Sequence, residues 1–262
     1  MSCETIIVER DSGVVTVTLN RPERKNAGNG TMWRELHDTA LEVAHSRDDR
    51  VLVVTGAGGA FCSGADIGDP KGISGDPDDP PLTRMRFFGS VIQALFDLPK
   101  PTIAKVRGIA AGAGLSLALC CDLTVVSSTA RLSEIFSRRG LSVDGGSSWL
   151  LPRLVGLHRA KELAYFAETL SAEEAVSLGL VNRLVADDEI DAFVDDWARR
   201  LAAGPPLALS MTKKLLNNSA AVSMAQALED EARCQTVNFA TEDTREAMRA
   251  FAEKRDPNFL GR

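Results

Sequence analysis

The first 130 residues alternate between strand-like and helix-like patterns of apolar positions. Polar and apolar residues alternate over 5–10 and 14–19 around a short polar turn, which predicts a β-hairpin. Val15, Val17 and Leu19 share one face of its second strand. The pattern then predicts helices at 31–47, about 83–97 and 112–120, and strands at 51–54, 102–106 and 123–126. This alternation implies right-handed crossovers between parallel strands, and therefore an α/β fold.

After about residue 145 the strand signals mostly stop and helical spacing dominates. The predicted helices are 146–151, 158–167, 171–178, 188–202, 206–217, 222–239 and 243–253. With 262 residues, 44% of them hydrophobic, the chain can bury a large core unaided. We expect an α/β core over residues 1–200 and a helical C-terminal region over 201–262. The segment 68–81 is rich in proline, glycine and aspartate and predicts a loop, a candidate lid.

Charge and cysteine usage exclude some classes of protein. The chain has 30 basic and 36 acidic residues, a net charge of −6, which argues against a nucleic-acid partner. Five cysteines without a C-x-x-C pair suggest reduced thiols and a cytoplasmic location. We expect no membrane span, because the sequence has no apolar run of about 18 residues. The three histidines have no metal-ligand spacing, so we expect no metal site.

Two turns rich in glycine and alanine, 60–67 and 108–115, each follow a predicted strand. Backbone N–H groups at a helix start are unpaired, and small side chains let a ligand approach them closely. Two such turns on parallel strands can aim two N–H groups at one oxygen, as an oxyanion hole requires. The alternative is that these residues only permit tight turns. The second turn lacks the third glycine of a dinucleotide fingerprint, and the chain contains no P-loop motif.

Matching stretches along nearly the whole chain resemble the crotonase (enoyl-CoA hydratase/isomerase) superfamily. They are Leu19 to Arg24 with Asn26-Ala27, the turn Gly64-Ala65-Asp66, the segment Gly108 to Asp122, Leu151-Pro152-Arg153, Ala172 to Ala175 with Gly179-Leu180-Val181, and Phe251 to Arg255. The resemblance implies a spiral core of ββα units and a helical C-terminal trimerisation region. It also implies homotrimers, often paired into homohexamers, that act on an acyl-CoA thioester. No separate cofactor is expected, because coenzyme A is part of the substrate.

The resemblance also assigns roles to individual positions. The backbone N–H groups of Ala65 and Ala113 would hold the thioester oxygen, and Gly112 is a candidate substrate-binding residue beside them. Positions matching the substrate- and CoA-contacting stretches are Arg24, Ala27, Ser63, Asp66, Ile67 and, from a neighbouring subunit, Lys254. For Arg24 and Lys254 the alternative is a solvated surface cation. Trp149 and the two leucines after it are candidates to line an acyl tunnel, with ordinary helix packing as the alternative.

The two glutamates of a hydratase in this family fall at Ser116 and Phe136, neither of which is a carboxylate. Adding water to a double bond needs both a base and an acid, so hydration would require atypical residues. Asp144 remains as the nearby carboxylate, in a stretch that is similar to ring-1,2-epoxyphenylacetyl-CoA isomerases and Δ3,Δ2-enoyl-CoA isomerases. A 1,3 proton shift needs only one base, and burial would raise the pKa of Asp144 towards a useful range. The alternatives for Asp144 are a helix cap or a nucleophile, and for the chain a non-catalytic acyl-CoA binder.

Overall fold

The computed structural model describes residues 3–69 and 79–262. Its strands are β1 (Ile6–Asp11), β2 (Val14–Leu19), β3 (Val51–Gly56), β4 (Thr102–Val106), β5 (Ile109–Ala111), β6 (Leu123–Ser127), β7 (Arg131–Ser133), β8 (Leu170–Ser171) and β9 (Arg183–Val185). Its α-helices are α1 (Gly30–His45), α2 (Pro81–Phe96), α3 (Ala113–Leu119), α4 (Ser147–Val155), α5 (Leu157–Phe166), α6 (Ala172–Ser177), α7 (Ile190–Ala202), α8 (Pro206–Asn218), α9 (Met224–Ala240) and α10 (Glu242–Glu253). Short 3-10 helices occupy Pro22–Arg24, Ile135–Arg139 and Ser219–Ala221.

A six-stranded sheet in the order β1-β2-β3-β4-β6-β9 forms the centre of the fold. The predicted hairpin is confirmed: β1 and β2 are antiparallel, and Ser12 and Gly13 turn between them with φ of 51° and 83°. The other neighbouring strands run parallel, as the predicted crossovers require. Parallel pairing brings the carboxyl ends of β3 and β4 to the same edge of the sheet.

A second sheet, in the order β5-β7-β8, is a feature that the sequence pattern did not predict. Its strands have two or three residues each, too few to display an alternation. β9, with three residues, escaped prediction for the same reason. β5 follows β4 after only two residues, so the chain passes from the large sheet into the small one just before α3.

Two apolar layers cover the large sheet. On one side Val15, Val17 and Leu19 are fully buried against α1 residues such as Trp33 and Leu36, which confirms the predicted faces. On the other side α7 packs its apolar stripe onto β3, β4 and β6. The unbroken apolar run in β3 is explained by this burial on both faces.

The C-terminal helices lie outside these layers. Neither α8 nor α9 buries a single residue, and α10 buries only Asp243 and Ala250. An ion pair between Lys213 Nζ and Asp122 Oδ2, 2.9 Å apart, connects α8 to the segment between α3 and β6. The boundary at residues 200 and 201 stays a prediction, although α7 ends at Ala202 and α8 begins at Pro206.

Most of the predicted loop over 68–81, namely residues 70–78, lies outside the described residues, as does its suggested role as a lid. Its last residue, Pro81, begins α2. Among the described residues, no helix combines the length and the apolar character that crossing a membrane requires.

Candidate active site

The two glycine-rich turns pack directly against each other. Cys62 and Ala110 form a parallel bridge, and the Ala111 N–H donates to the Cys62 carbonyl at 3.0 Å. A Cβ added to Gly114 would lie 2.2 Å from the Cys62 carbonyl oxygen, closer than real Cβ atoms come. The glycine at 114 is therefore required by the close approach of two backbones. This contact brings the two turns together, as an oxyanion hole shared between them requires.

Ala65 and Ala113 lie on the facing edges of these turns. A Cβ added to Gly64 would lie 2.9 Å from the Ala111 carbonyl oxygen and 3.9 Å from the Ala113 nitrogen. Ala113 is the first residue of α3, so its N–H has no acceptor within the helix. Within residues 3–69 and 79–262, no backbone acceptor outside the regular elements pairs with either N–H. Such unpaired N–H groups are what the predicted oxyanion hole requires.

Gly112 contributes geometry to the second turn and does not donate into the site. Its N–H is used by the Ser133 carbonyl at 2.9 Å. Its φ of 51° turns the chain sharply between β5 and α3, a conformation that favours glycine. Ile135 and Phe136 stand 3.4 to 3.7 Å from the position that a Cβ on Gly112 would take, so these side chains wall this side of the turn.

Arg21 and Asn26 stabilise the first turn through hydrogen bonds. The Arg21 guanidinium pairs with Asp66 at 2.8 Å, and the Gly68 N–H also donates to the Asp66 carboxylate. The buried Asn26 amide donates to the carbonyls of Ala57 and Ala60, at 2.8 Å each. Sequence reasoning gave Arg21 and Asn26 no role, although both lie inside the matched stretch at 19–27. Asp66 is among the predicted substrate- and CoA-contacting positions, and its carboxylate is used within the turn by Arg21 and Gly68.

The other predicted CoA-contacting positions fall into two groups. Arg24 and Ala27 lie against the first turn, in which the Ser63 hydroxyl donates to the Arg24 carbonyl at 3.2 Å. The Arg24 side chain and Ile67 are exposed, whereas Ala27 is buried. Lys254 is exposed at the C-cap of α10, a helix that packs on α9. No bond of Lys254 to these turns occurs in the described part of the chain, and its role stays a prediction.

Asp144 lies in the loop before α4 with a partly buried carboxyl group. Burial raises its pKa to about 6. Its Oδ1 is buried without a hydrogen-bond partner among the described residues. The N-cap of α4 is Gly146, and no described side chain caps this helix. The Asp144 carboxylate therefore does not perform the capping role that was its alternative.

Ser116 connects Asp144 to the second turn. Its hydroxyl lies within hydrogen-bond distance of the main-chain carbonyl oxygens of Asp144, at 3.1 Å, and Gly112, at 3.2 Å, and can donate to either. A Cβ on Gly145 would lie 2.7 Å from the Ser116 Cβ, so the Asp144 loop presses directly on α3. Ser116 is one helical turn after Ala113. The predicted base and the predicted N–H donor are thus fixed to the same short helix.

Glu134 is a carboxyl group of this region that sequence reasoning missed. It follows β7, it is only 2% exposed, and its Oε1 accepts a hydrogen bond from the Ser147 hydroxyl at 3.2 Å. Burial raises its pKa to about 7, and the charge of Asp144 adds to this rise. The resemblance places a catalytic glutamate of hydratases at position 136, so a glutamate two residues earlier was not considered as a site residue. Phe136 itself is buried.

Trp149 lies at some distance from the turns. Its ring packs edge-on against Phe96, with centroids 5.3 Å apart, and the Arg153 guanidinium lies 3.8 Å from its centre. It lines a cavity of about 630 Å³ shared with Leu119 and Lys213. Leu119 ends α3, whereas Ala113 begins it, and seven residues of helix span about 10 Å. The contacts of Trp149 match the packing alternative, and its role in an acyl tunnel stays a prediction.

Among the described residues, no group of three or more His, Cys, Asp or Glu side chains is arranged to hold a metal ion. The five cysteines are free thiols. Cys62, in the first turn, is buried, which raises its pKa to about 11 and makes it a poor nucleophile.

Residues 9–262 match the family model described as enoyl-CoA hydratase/isomerase. The 1,2-epoxyphenylacetyl-CoA isomerase of Escherichia coli (strain K12) is 36% identical over 260 residues, which cover 99% of both chains. The crotonyl-CoA hydratase of Syntrophomonas wolfei subsp. wolfei is 34% identical over 100% of both chains.

The structural comparison agrees. The crystal structure of enoyl-CoA hydratase from Bacillus anthracis matches with a TM-score of 0.92 and 29% sequence identity, covering 99% of this chain and 100% of that one. The predicted fold class, an α/β spiral core followed by a helical C-terminal region, is confirmed.

Proposed function

Because this chain belongs to the enoyl-CoA hydratase/isomerase family and is an enzyme of that kind, we propose that it moves the double bond of a 3-enoyl-CoA into conjugation with the thioester. Its relatives carry both isomerase and hydratase names, so the choice between these reactions rests on the site. The observation that carries the proposal is the carboxyl group of Asp144, which has a buried oxygen without a hydrogen-bond partner among the described residues and lies beside the second turn. The two positions that carry glutamates in a hydratase, Ser116 and Phe136, have no acid here.

The proposed oxyanion hole consists of the Ala65 and Ala113 N–H groups. The thioester oxygen gains negative charge when a proton leaves the adjacent carbon, and two preorganised donors stabilise it at that moment. Support comes from the packing of the two turns and from the absence of a backbone acceptor for either group outside the regular elements of the described chain. One such donor typically contributes about 10²–10³ in rate.

Asp144 is the proposed acid and base. Its ionised carboxylate takes a proton from C2 of the 3-enoyl thioester, which leaves a dienolate whose negative charge rests on the thioester oxygen. The double bond moves from C3–C4 to C2–C3 as the same proton returns to C4, so no atom is gained or lost. With a pKa of about 6, the group is mostly ionised at neutral pH and is a stronger base than a solvated aspartate.

Turnover of a panel of 2-enoyl-, 3-enoyl- and aromatic CoA esters tests the proposal. We expect a 3-enoyl-CoA to gain the absorbance of the conjugated product. Asp144→Asn should lower this rate by about 10²–10⁴ while binding and folding persist, because it removes the base and keeps the shape. Asp188→Asn, at an exposed position, is the matched control and should keep full activity.

Other results would identify the alternatives. Loss of conjugated absorbance from a 2-enoyl-CoA would indicate hydration, and an aspartyl adduct trapped on Asp144 would indicate a nucleophile. Tight binding of CoA esters without any turnover would indicate a non-catalytic binder. Undiminished isomerisation by Asp144→Asn would remove Asp144 from the mechanism.

The proposed assembly is a homotrimer or a pair of trimers joined through the C-terminal helices, with a cytoplasmic location. Its support is the exposed apolar side chains of α9 and α10, among them Phe239 and Phe251. In such an assembly Lys254 would reach the CoA of a neighbouring subunit. No cofactor is proposed beyond the coenzyme A of the substrate.

A further inference from the structure

Glu134 occupies an unusual environment for a carboxyl group. It is almost completely buried, its Oε2 has no partner, and its Oε1 has only the Ser147 hydroxyl among the described residues. Within residues 3–69 and 79–262, neither Glu134 nor Asp144 has a Lys, Arg or His nitrogen within 4.0 Å. Burying such a group without a cation opposes folding. An amide or an apolar side chain would serve packing alone at least as well.

Two hydroxyls link Glu134 to the proposed site. Ser147 Oγ, which donates to Glu134, is 2.9 Å from Ser116 Oγ. The Ser116 hydroxyl also lies within hydrogen-bond distance of the main-chain carbonyl oxygens of Asp144 and Gly112, and it donates its one proton to one acceptor at a time. Ser116 and Ser147 are both fully buried. The chain of contacts therefore runs from Glu134 to the loop that carries the base and to the residue before Ala113.

Electrostatics couples the two carboxyl groups. Burial comes first among the causes that raise the pKa of Glu134, the Ser147 hydrogen bond lowers it, and the negative charge of Asp144 raises it further. The pKa of Asp144 is raised by burial alone. Asp144 is thus the first to ionise, and its charge opposes ionisation of Glu134. Two like charges in one low-dielectric region titrate as a pair.

Resting on the proposed function, we propose that Glu134 is a positioning residue that keeps a proton while Asp144 carries the negative charge, acting on the reaction through Ser147, Ser116 and Asp144. A neutral Glu134 leaves a single negative charge in the site, the one that the reaction uses. Its ionisation would place a second charge near the enolate and raise the barrier to forming it. The site then holds one protonated and one ionised carboxyl near neutral pH.

The pH profile of kcat with a short-chain 3-enoyl-CoA distinguishes this role from packing. We expect a bell shape in which the rate falls below about pH 6, as Asp144 becomes protonated, and above about pH 7, as Glu134 ionises. Glu134→Gln should keep the acid limb and lose the alkaline limb. Glu168→Gln, at an exposed position, should keep both limbs. An alkaline limb unchanged by Glu134→Gln would overturn the proposal.

Infrared titration of the protonated carboxyl band provides a readout without turnover and without changing Glu134. In Asp144→Asn the Glu134 band should titrate at lower pH than in the unmodified chain, because the opposing charge is gone. In Ser147→Ala it should titrate at higher pH, because the hydrogen bond to the ionised form is lost. If the Glu134 band titrated at the same pH in Asp144→Asn as in the unmodified chain, the coupling between the two carboxyl groups would be overturned. Failure of the proposed function would be distinct: no isomerisation of any 3-enoyl ester, with the infrared coupling intact.

Discussion

The helix that carries the site and the helices at the C-terminus differ sharply in burial. All seven residues of α3 are buried, among them Ala113 and Ser116. α8 and α9 bury none of their residues, and Phe239 and Phe251 are 69% and 85% exposed. The first region is completed by its own chain, with contacts on every side of α3. The second presents apolar side chains that this chain alone leaves in water.

The two regions therefore depend on different kinds of contact. The geometry of the two turns follows from contacts within one chain and should survive changes at the C-terminus. The arrangement of the C-terminal helices needs a surface to pack against, because apolar patches of this kind are unfavourable in water. A proposed subunit interface supplies such a surface. Variants placed in each region should therefore affect different measurements.

The largest effect is expected from Gly114→Ala. The new Cβ would meet the Cys62 carbonyl oxygen at 2.2 Å, and because that atom is backbone the turns must separate. The two proposed N–H donors would then no longer point at the thioester oxygen, and kcat/KM should fall by a factor of at least about 10⁴. Gly89→Ala is the control in α2, where a Cβ meets nothing within 4 Å. It should keep activity and raise stability by about 0.5–1 kcal/mol. Full activity in Gly114→Ala would contradict the close-contact argument.

Asp144→Asn should lower activity but raise thermal stability at pH 7.5. The folded pKa of about 6 is above the ordinary value of 3.8, so ionisation is less favourable in the folded state. The unmodified chain should lose stability as pH rises from about 4 to 6, because the unfolded chain releases this proton first. The Asn variant has no such loss and should have the higher Tm at pH 7.5, with the difference shrinking towards pH 4. Equal Tm differences at both pH values would argue against a perturbed Asp144.

Charge introduced on the exposed face of the C-terminal helices should change assembly while the core stays folded. Phe239→Asp places a carboxylate where the proposed interface is apolar, so sedimentation should shift from three or six times the subunit mass towards one. Far-ultraviolet circular dichroism should change little. Thr169→Asp, exposed between α5 and β8, adds the same charge elsewhere and should leave the assembly intact. An unmodified chain that sediments as a monomer would refute the proposed interface.

The smallest effect is expected at the contact between the two regions. Lys213→Met removes the partner of Asp122, whose Oδ2 still accepts from the Thr102 N–H and hydroxyl. We expect a loss of about 1–2 kcal/mol in the free energy of unfolding by urea. Lys214→Met, at the exposed neighbouring position, should change stability by less than about 0.5 kcal/mol. Similar losses in both variants would show that this ion pair does not fasten α8.

Hydrophobic patterning predicted most of the helices and strands, whereas the spiral arrangement of the core was implied by the resemblance to the family. The hairpin, β3, β4, β6 and the helices from α1 to α10 are long enough to display a strand-like or helix-like pattern of apolar positions, so each was predicted near its observed range. The strands β5, β7, β8 and β9 were not, because two or three residues cannot display a period. Their positions depend on neighbours brought from distant parts of the chain.

The candidate site divides in the same way. Residue types along the chain predicted the two turns, and the resemblance to the family then assigned roles to Ala65, Ala113 and Asp144. Only the tertiary structure decided that Gly114 touches Cys62, that Asp66 is paired with Arg21, and that Glu134 is buried behind two serine hydroxyls. Burial and the charge of a neighbour set a carboxyl group's pKa, and both depend on residues far apart in sequence.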